Sequence, residues 1–168
     1  MTAAVHDAFA DLVARLDPAM VVVTVAAGDE VDGCLVGFHS QCSIVPPRYV
    51  VWLSRANRTF ELAAGATHLA VHVLGADDHD LAARFGGVTG DDVDKLAQCA
   101  WAPGPGGVPL LSRCPNRFVG RIIDRVDGGD HVGHILDPVD AATEGQARPL
   151  RLAAVTDVEP GHDATERR

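Results

Sequence analysis

The first periodicity along the chain is helical. In "AVHDAFADLVARL", Val5, Phe9, Leu12, Val13 and Leu16 recur on one face, and Asp17-Pro18 ends the pattern, so the chain opens with an amphipathic helix. The pattern then switches to strands. "MVVVTVAAG" is rich in β-branched residues, and the turn "GDE" returns it into "VDGCLVGF" as a first hairpin. "RYVVWLS" is a third strand. "THLAVHVLG" is a fourth, with Leu69, Val71 and Val73 alternating against Ala70, His72 and Leu74, a pattern for burial on both faces. Between these two strands, Asn57 or Thr59 in "ANRTFELAA" starts a short helix. "DDHDLAARFGG" gives another helix, with Asp77 or Asp78 as the cap, Leu81 and Phe85 facing inward and the Gly pair as the stop. "TGDDVDKLAQCAW" predicts one more, with Val93, Leu96 and Trp101 on a face, and "APGPGGVP" a loop. "NRFVGRIIDRVDGGDHVGHILDPVDA" forms a second long hairpin about "DGGD". Residues 157–168 lack periodicity and predict a disordered tail after a single domain over 1–156. Five or six strands, mostly in hairpins, with short helices between them, imply a small antiparallel barrel in an α+β setting.

Composition narrows the partners. With 168 residues, 47% of them hydrophobic, the chain can bury one proper core. A net charge of −9, with no Lys/Arg cluster, argues against a nucleic-acid surface. No long apolar span or signal-like start is present, which argues against a membrane. Cys34, Cys42, Cys99 and Cys114 lie at irregular separations without a C-x-x-C, which points to a reduced, cytoplasmic protein with no metal site. No G-x-G-x-x-G follows the first strand and no G-x-x-x-x-G-K-[ST] occurs, which disfavours a Rossmann or P-loop nucleotide site.

Three places carry candidate chemistry. "SRANRTFE" puts Arg55, Asn57, Arg58 and Thr59 at a helix entrance, where free N–H groups and a guanidinium favour a phosphate; an ordinary capped helix with solvated arginines is the alternative. "GFHSQCSIVPP", residues 37–47, is too long for a hairpin link and carries many hydrogen-bonding groups before Pro46-Pro47 stiffens the return. Such a segment suits the edge of a flat polar ring, or simply a surface loop. In "GDHVGH", His131 starts a strand and can point into a cleft while His134 faces away.

Taken in order, these pieces resemble the flavin reductase-like, FMN-binding split-barrel family, which includes the reductase components of two-component flavin-dependent monooxygenases. The likeness rests on the Gly-to-Pro-Pro segment, the small-polar helix entry, "LAARFGG" and "GDH". It implies a mainly β fold: an antiparallel, Greek-key-like split β-barrel of about six strands with short peripheral helices, forming a homodimer with flavin near the subunit interface. By position, Val36, Gly37, Phe38, His39, Gln41, Cys42 and Ser43 match the segment along the isoalloxazine and ribityl chain. Ala56, Asn57, Arg58 and Thr59 match the phosphate turn, Arg84 and Phe85 a further flavin contact, and His131 the residue where a nicotinamide approaches. The implied function is NAD(P)H:flavin oxidoreductase, with FMN or FAD as flavin and NADH or NADPH as hydride donor, supplying a partner oxygenase or other acceptor. A flavin-binding carrier or sensor on the same barrel, without reductase turnover, is the rival expectation.

Overall fold

A computed structural model describes residues 2–145 and 148–162. The elements are α1 (Ala3–Ala14), β1 (Val21–Ala27), β2 (Glu30–Val36), β3 (His39–Ser43), β4 (Arg48–Ser54), α2 (Arg58–Ala63), β5 (His68–Val73), α3 (His79–Gly86), β6 (Trp101–Pro103), β7 (Pro109–Leu111), β8 (Arg117–Asp127) and β9 (His131–Ala142). Seven strands form one antiparallel sheet in the order β2-β1-β5-β8-β9-β4-β3, and β6 pairs with β7 separately.

The strand order and the chain length between strands together force this sheet to curl. β2 and β3 are its opposite edges, roughly 29 Å apart if the strands lay flat at their usual spacing. Only Gly37 and Phe38 separate them in sequence, a link that reaches about 11 Å at most. The two edges must therefore meet, and the sheet rolls into a barrel. β2 and β4 face each other across the split without pairing, and the Trp52 N–H donates to the Phe38 carbonyl (2.9 Å) where the chain crosses.

Alternation along β1 then separates two cores. Val21, Val23 and Val25 share a buried cluster with Val51, Leu53, Leu69 and Leu136; strands so distant in sheet order meet only in the barrel interior. Val22 lies on the outer face with Leu74, Leu81, Phe85, Leu111, Leu150 and Val155, beneath α3 and the C-terminal chain. The continuous apolar run of β1 is thus buried on both faces, each buried Val or Leu contributing roughly 1.5–3 kcal/mol. Thr24, the polar residue of that run, is fully buried and donates its hydroxyl to the Pro109 carbonyl (2.6 Å).

Two expectations are corrected. His39–Ser43 is a strand, the seventh of the sheet, rather than an irregular segment; its polar side chains suit an edge paired only with β4. Residues 88–100 form turns and no helix: Leu96 is buried, but Val93 is exposed and Trp101 begins β6. The Gly/Pro-rich stretch links β6 to β7 as the expected loop, through a 3-10 turn at Pro105–Gly107. Of the tail expected from 157, residues 157–162 are described, with the Val158 N–H donating to Val155 O (3.0 Å) and the Gly161 N–H to Gly86 O (3.2 Å); residues 163–168 lie outside the described residues. The amphipathic α1 forms as expected, yet buries none of its residues.

His72 and His134 are both fully buried. His72 Nδ1 donates to the Val22 carbonyl (3.1 Å) and Nε2 accepts from the Leu111 N–H (3.1 Å), which fixes a neutral ring. Burial pulls both imidazoles down to about 4. Their contribution to stability is complete above the unfolded value of about 6.5 and is lost as pH falls from there toward 4. Denaturant melts are expected to show stability declining between pH 6.5 and 4.5, and His72→Leu should flatten that decline while lowering stability at pH 7.

Candidate functional site

A groove runs along the split between β2 and β4. Its larger lobe holds about 320 Å³ and its smaller one about 120 Å³, and the two share Leu35, Ser54, Asn57 and His131. The larger lobe is apolar, built on Met20, Cys34 and Phe85 with Val155, Val158 and Pro160 from the C-terminal chain. The smaller is formed by Val36, Gly37 and Phe38 at the crossing and by Trp52. Glycine makes room for that indole: a Cβ on Gly128 would stand 2.6 Å from the Trp52 ring.

The polar groups gather where the lobes join. Ser54 ends β4 directly opposite His131 at the start of β9, and its Oγ accepts from the Ala56 N–H (3.3 Å). His131 lies against the Phe38 ring, with centroids 5.1 Å apart and planes tilted by 49°. Its Nδ1 is 2.8 Å from Asp130 Oδ1, and this hydrogen bond holds the Asp130 carboxyl below the usual carboxylate range. That bond directs the Nδ1 proton at Asp130 and orients the ring. Asn57 precedes α2 but makes no side-chain cap bond to it; its amide oxygen is instead held by His162 Nε2.

Of the residues singled out by sequence, Val36, Gly37, Phe38, Asn57, Phe85 and His131 come together along this groove. The others are placed elsewhere. His39 bridges the Tyr49 hydroxyl and the Ala19 carbonyl, each at 2.6 Å. Gln41 and Cys42 are exposed on the edge strand, where the Gln41 amide donates to the carbonyl of half-buried Ser43 (3.1 Å). Ala56 is buried, and Thr59 donates its hydroxyl to the buried Asp32 carboxylate (2.7 Å). Arg58 is committed to Glu30 (2.5 Å) and Asp91 (3.8 Å), facing a separate acidic hollow. Arg84 donates to the Gln98 carbonyl (3.1 Å) and to Cys99 Sγ (3.3 Å).

Sequence reasoning passed over Met20, Leu35, Trp52, Ser54 and the C-terminal wall. For Trp52 and Ser54 a signal existed: they alternate with the fully buried Val51 and Leu53, which face the barrel interior, so both fall on the other face of β4. Behind the groove Lys95 is buried, its Nζ donating to the Gly33 carbonyl (2.8 Å). Burial pushes the neighbouring Cys34 thiol up to about 11, against the pull of the Lys95 charge.

With this geometry in view, residues 14–155 match the family described as flavin reductase like domain. The chain belongs to the flavin reductase-like family. Among its relatives, the FMN reductase (NADH) SmoA of Agrobacterium fabrum is 33% identical over 123 residues, covering 70% of this chain and 67% of the relative. The stachydrine N-demethylase reductase subunit of Rhizobium meliloti is 27% identical over 114 residues, 66% of this chain. The chain spans about half (48%) of that relative's length. The crystal structure of a flavin reductase domain protein from Arthrobacter superposes with a TM-score of 0.76 at 23% identity, covering 86% of this chain and 88% of the other. The fold of this flavin reductase-like chain is accordingly the antiparallel split barrel.

None of the four cysteines is disulfide-bonded, and their environments differ. Cys42 is exposed, whereas burial pushes Cys34 up to about 11 and Cys114 to about 12. Thiolates are the reactive species. Iodoacetamide at pH 8 followed by peptide mass spectrometry should therefore modify Cys42 first and Cys99 more slowly. Cys34 and Cys114 should react only once denaturant is added, although Cys34 lines the groove.

Proposed function

We propose that the groove binds a flavin, FMN or FAD, and that the protein is an NAD(P)H:flavin oxidoreductase delivering reduced flavin to a partner oxygenase or other acceptor. The observation that carries this reading is the pairing of an apolar lobe with a rim of hydrogen-bonding groups, Ser54, Asn57 and His131, at the split of a flavin reductase-like barrel. The residues present fit such a ligand. Leu35, Phe85 and Met20 offer a face for a flat ring, and the rim offers a hydroxyl, an amide and an imidazole to a polar chain. The bound flavin would supply a ring that takes hydride from a reduced nicotinamide. The residues of this chain bind, orient and exclude water. Asn57 and the Ser54 hydroxyl hold the polar end, Phe38 and Trp52 wall the crossing, and His131, kept in one tautomer by Asp130, steers the nicotinamide. NADH is favoured as donor by the SmoA relative, whose name specifies it.

A second copy of the chain completes the assembly in this reading. α1 buries nothing, and its apolar stripe stands open, with Val5 50%, Phe9 65% and Leu12 60% exposed. So amphipathic a helix gains stability chiefly by covering that face, and a homodimer covers it while keeping the site, with exposed Phe38 on its rim, near the interface. Phe9→Glu combined with Leu12→Glu is expected to turn a dimer into a monomer in sedimentation velocity runs. A monomeric unsubstituted protein would sink the dimer.

The activity is tested by following NADH and NADPH oxidation with and without FMN, FAD and riboflavin. Flavin-dependent consumption is expected; flavin binding without consumption would favour a carrier or sensor. His131→Ala should slow single-turnover reduction on the order of tenfold to a hundredfold, as expected for lost orientation, while flavin still binds. Arg58→Ala should change FMN affinity by less than about threefold, the scale of an exposed ion pair, because its guanidinium already serves Glu30 and Asp91.

A further inference from the structure

The chain beyond the 3-10 turn Leu152–Val155 returns across α3 and becomes part of the groove. Asp157 is tied to α3 by His79 (2.9 Å) in an exposed pair, and the Gly161 N–H donates to the Gly86 carbonyl (3.2 Å). Val158, Pro160 and His162 wall the larger lobe. The approach is close: a Cβ on Gly161 would lie 2.5 Å from the carbonyl carbon of Val88, so no larger residue seats there without displacement. At the end of this run His162 Nε2 hydrogen-bonds Asn57 Oδ1, which takes up the amide that stands free of its own helix. The other ring nitrogen, Nδ1, is buried without a partner among the described residues. The seated segment therefore gains one side-chain hydrogen bond and forfeits another, an arrangement held only weakly in place.

We propose that Val158–His162 is a latch that competes with flavin for Asn57. With the latch seated, His162 holds the Asn57 amide; flavin entry exchanges that contact for one with the ligand and moves the segment aside, returning His162 Nδ1 to water. The latch rests on the flavin reading of the groove. Its effect is on access, because the apparent affinity is the intrinsic affinity scaled by the unlatched fraction of molecules.

Two substitutions release the latch by different routes. His162→Ala deletes the imidazole, and Gly161→Ala expels the backbone from its seat against Val88. In stopped-flow fluorescence with FMN, both variants should associate about three- to tenfold faster than the unsubstituted protein, the range set by a hydrogen bond of ordinary net strength. In the unsubstituted protein, amide hydrogen exchange at Gly161 should accelerate when FMN is added. If Gly161→Ala fails to fold, His162→Ala and the exchange measurement decide. Association unchanged or slowed by His162→Ala, or exchange at Gly161 unchanged or slowed by FMN, would overturn the latch and leave the segment a fixed wall. Failure of all these chains to bind FMN would overturn the flavin reading, and the latch with it.

Discussion

The structure depends on one short crossing. Gly37 and Phe38 carry the chain from β2, at one edge of a seven-stranded sheet, to β3 at the other. Two residues cannot span a flat sheet of that width, so the sheet must roll, and everything enclosed by the barrel follows from that. The crossing also keeps the barrel from sealing. β2 pairs with β1 and β3 with β4, so between β2 and β4 the ladder is interrupted, and the interruption is the groove. Closure and binding site have the same origin.

That origin explains which residues meet there. Residues at the end of β2, the end of β4 and the start of β9 converge because β4 pairs with β9 in a register that sets Ser54 against His131. α3 then covers the open end with Phe85, placed by the helical spacing from Leu81. The rim is held by partners outside the groove: Asp130 orients His131, and Gly128 and Gly133 yield space to Trp52. Strand ends supply Ser54 and His131, while the turn before α2 supplies Asn57 and the C-terminal chain supplies His162.

Hairpins and helices with local signals were legible in the sequence. "GDE" turns β1 into β2, "DGGD" turns β8 into β9, and "LAARFGG" writes α3 with its inward Leu81 and Phe85. What failed were elements defined by distant partners. β3 looks like a loop because an edge strand exposed on its flank has no need of apolar residues. Of Ala56, Asn57, Arg58 and Thr59, expected together at a phosphate turn, only Asn57 faces the groove, because buried Asp32 claims Thr59 and Glu30 claims Arg58. The C-terminal wall carries no periodicity at all. It is held by single backbone bonds, from Leu150 to Leu74 and from Gly161 to Gly86, and by isolated apolar side chains such as Val155, and a pattern search has nothing to detect in such contacts.

The charge distribution bears on how a ligand would be held. Among the described residues lining the two lobes there is no Lys or Arg. The nearby guanidinium groups are engaged by acidic side chains, Arg55 by Asp127 and Arg58 by Glu30, in a chain of net charge −9. A phosphate at this rim would meet amide, hydroxyl and backbone N–H dipoles rather than a free cation, and these interactions are weaker than a charge-assisted fork. In the proposed reading that weakness has a use. A reductase that hands reduced flavin to another protein must release it, and a site that grips the ring by shape and the chain by neutral hydrogen bonds can do both. The buried cation of the region, Lys95, lies behind Cys34 and donates to the Gly33 carbonyl. It braces the strand that forms the groove's floor, and the ligand is left to be held by contact and geometry.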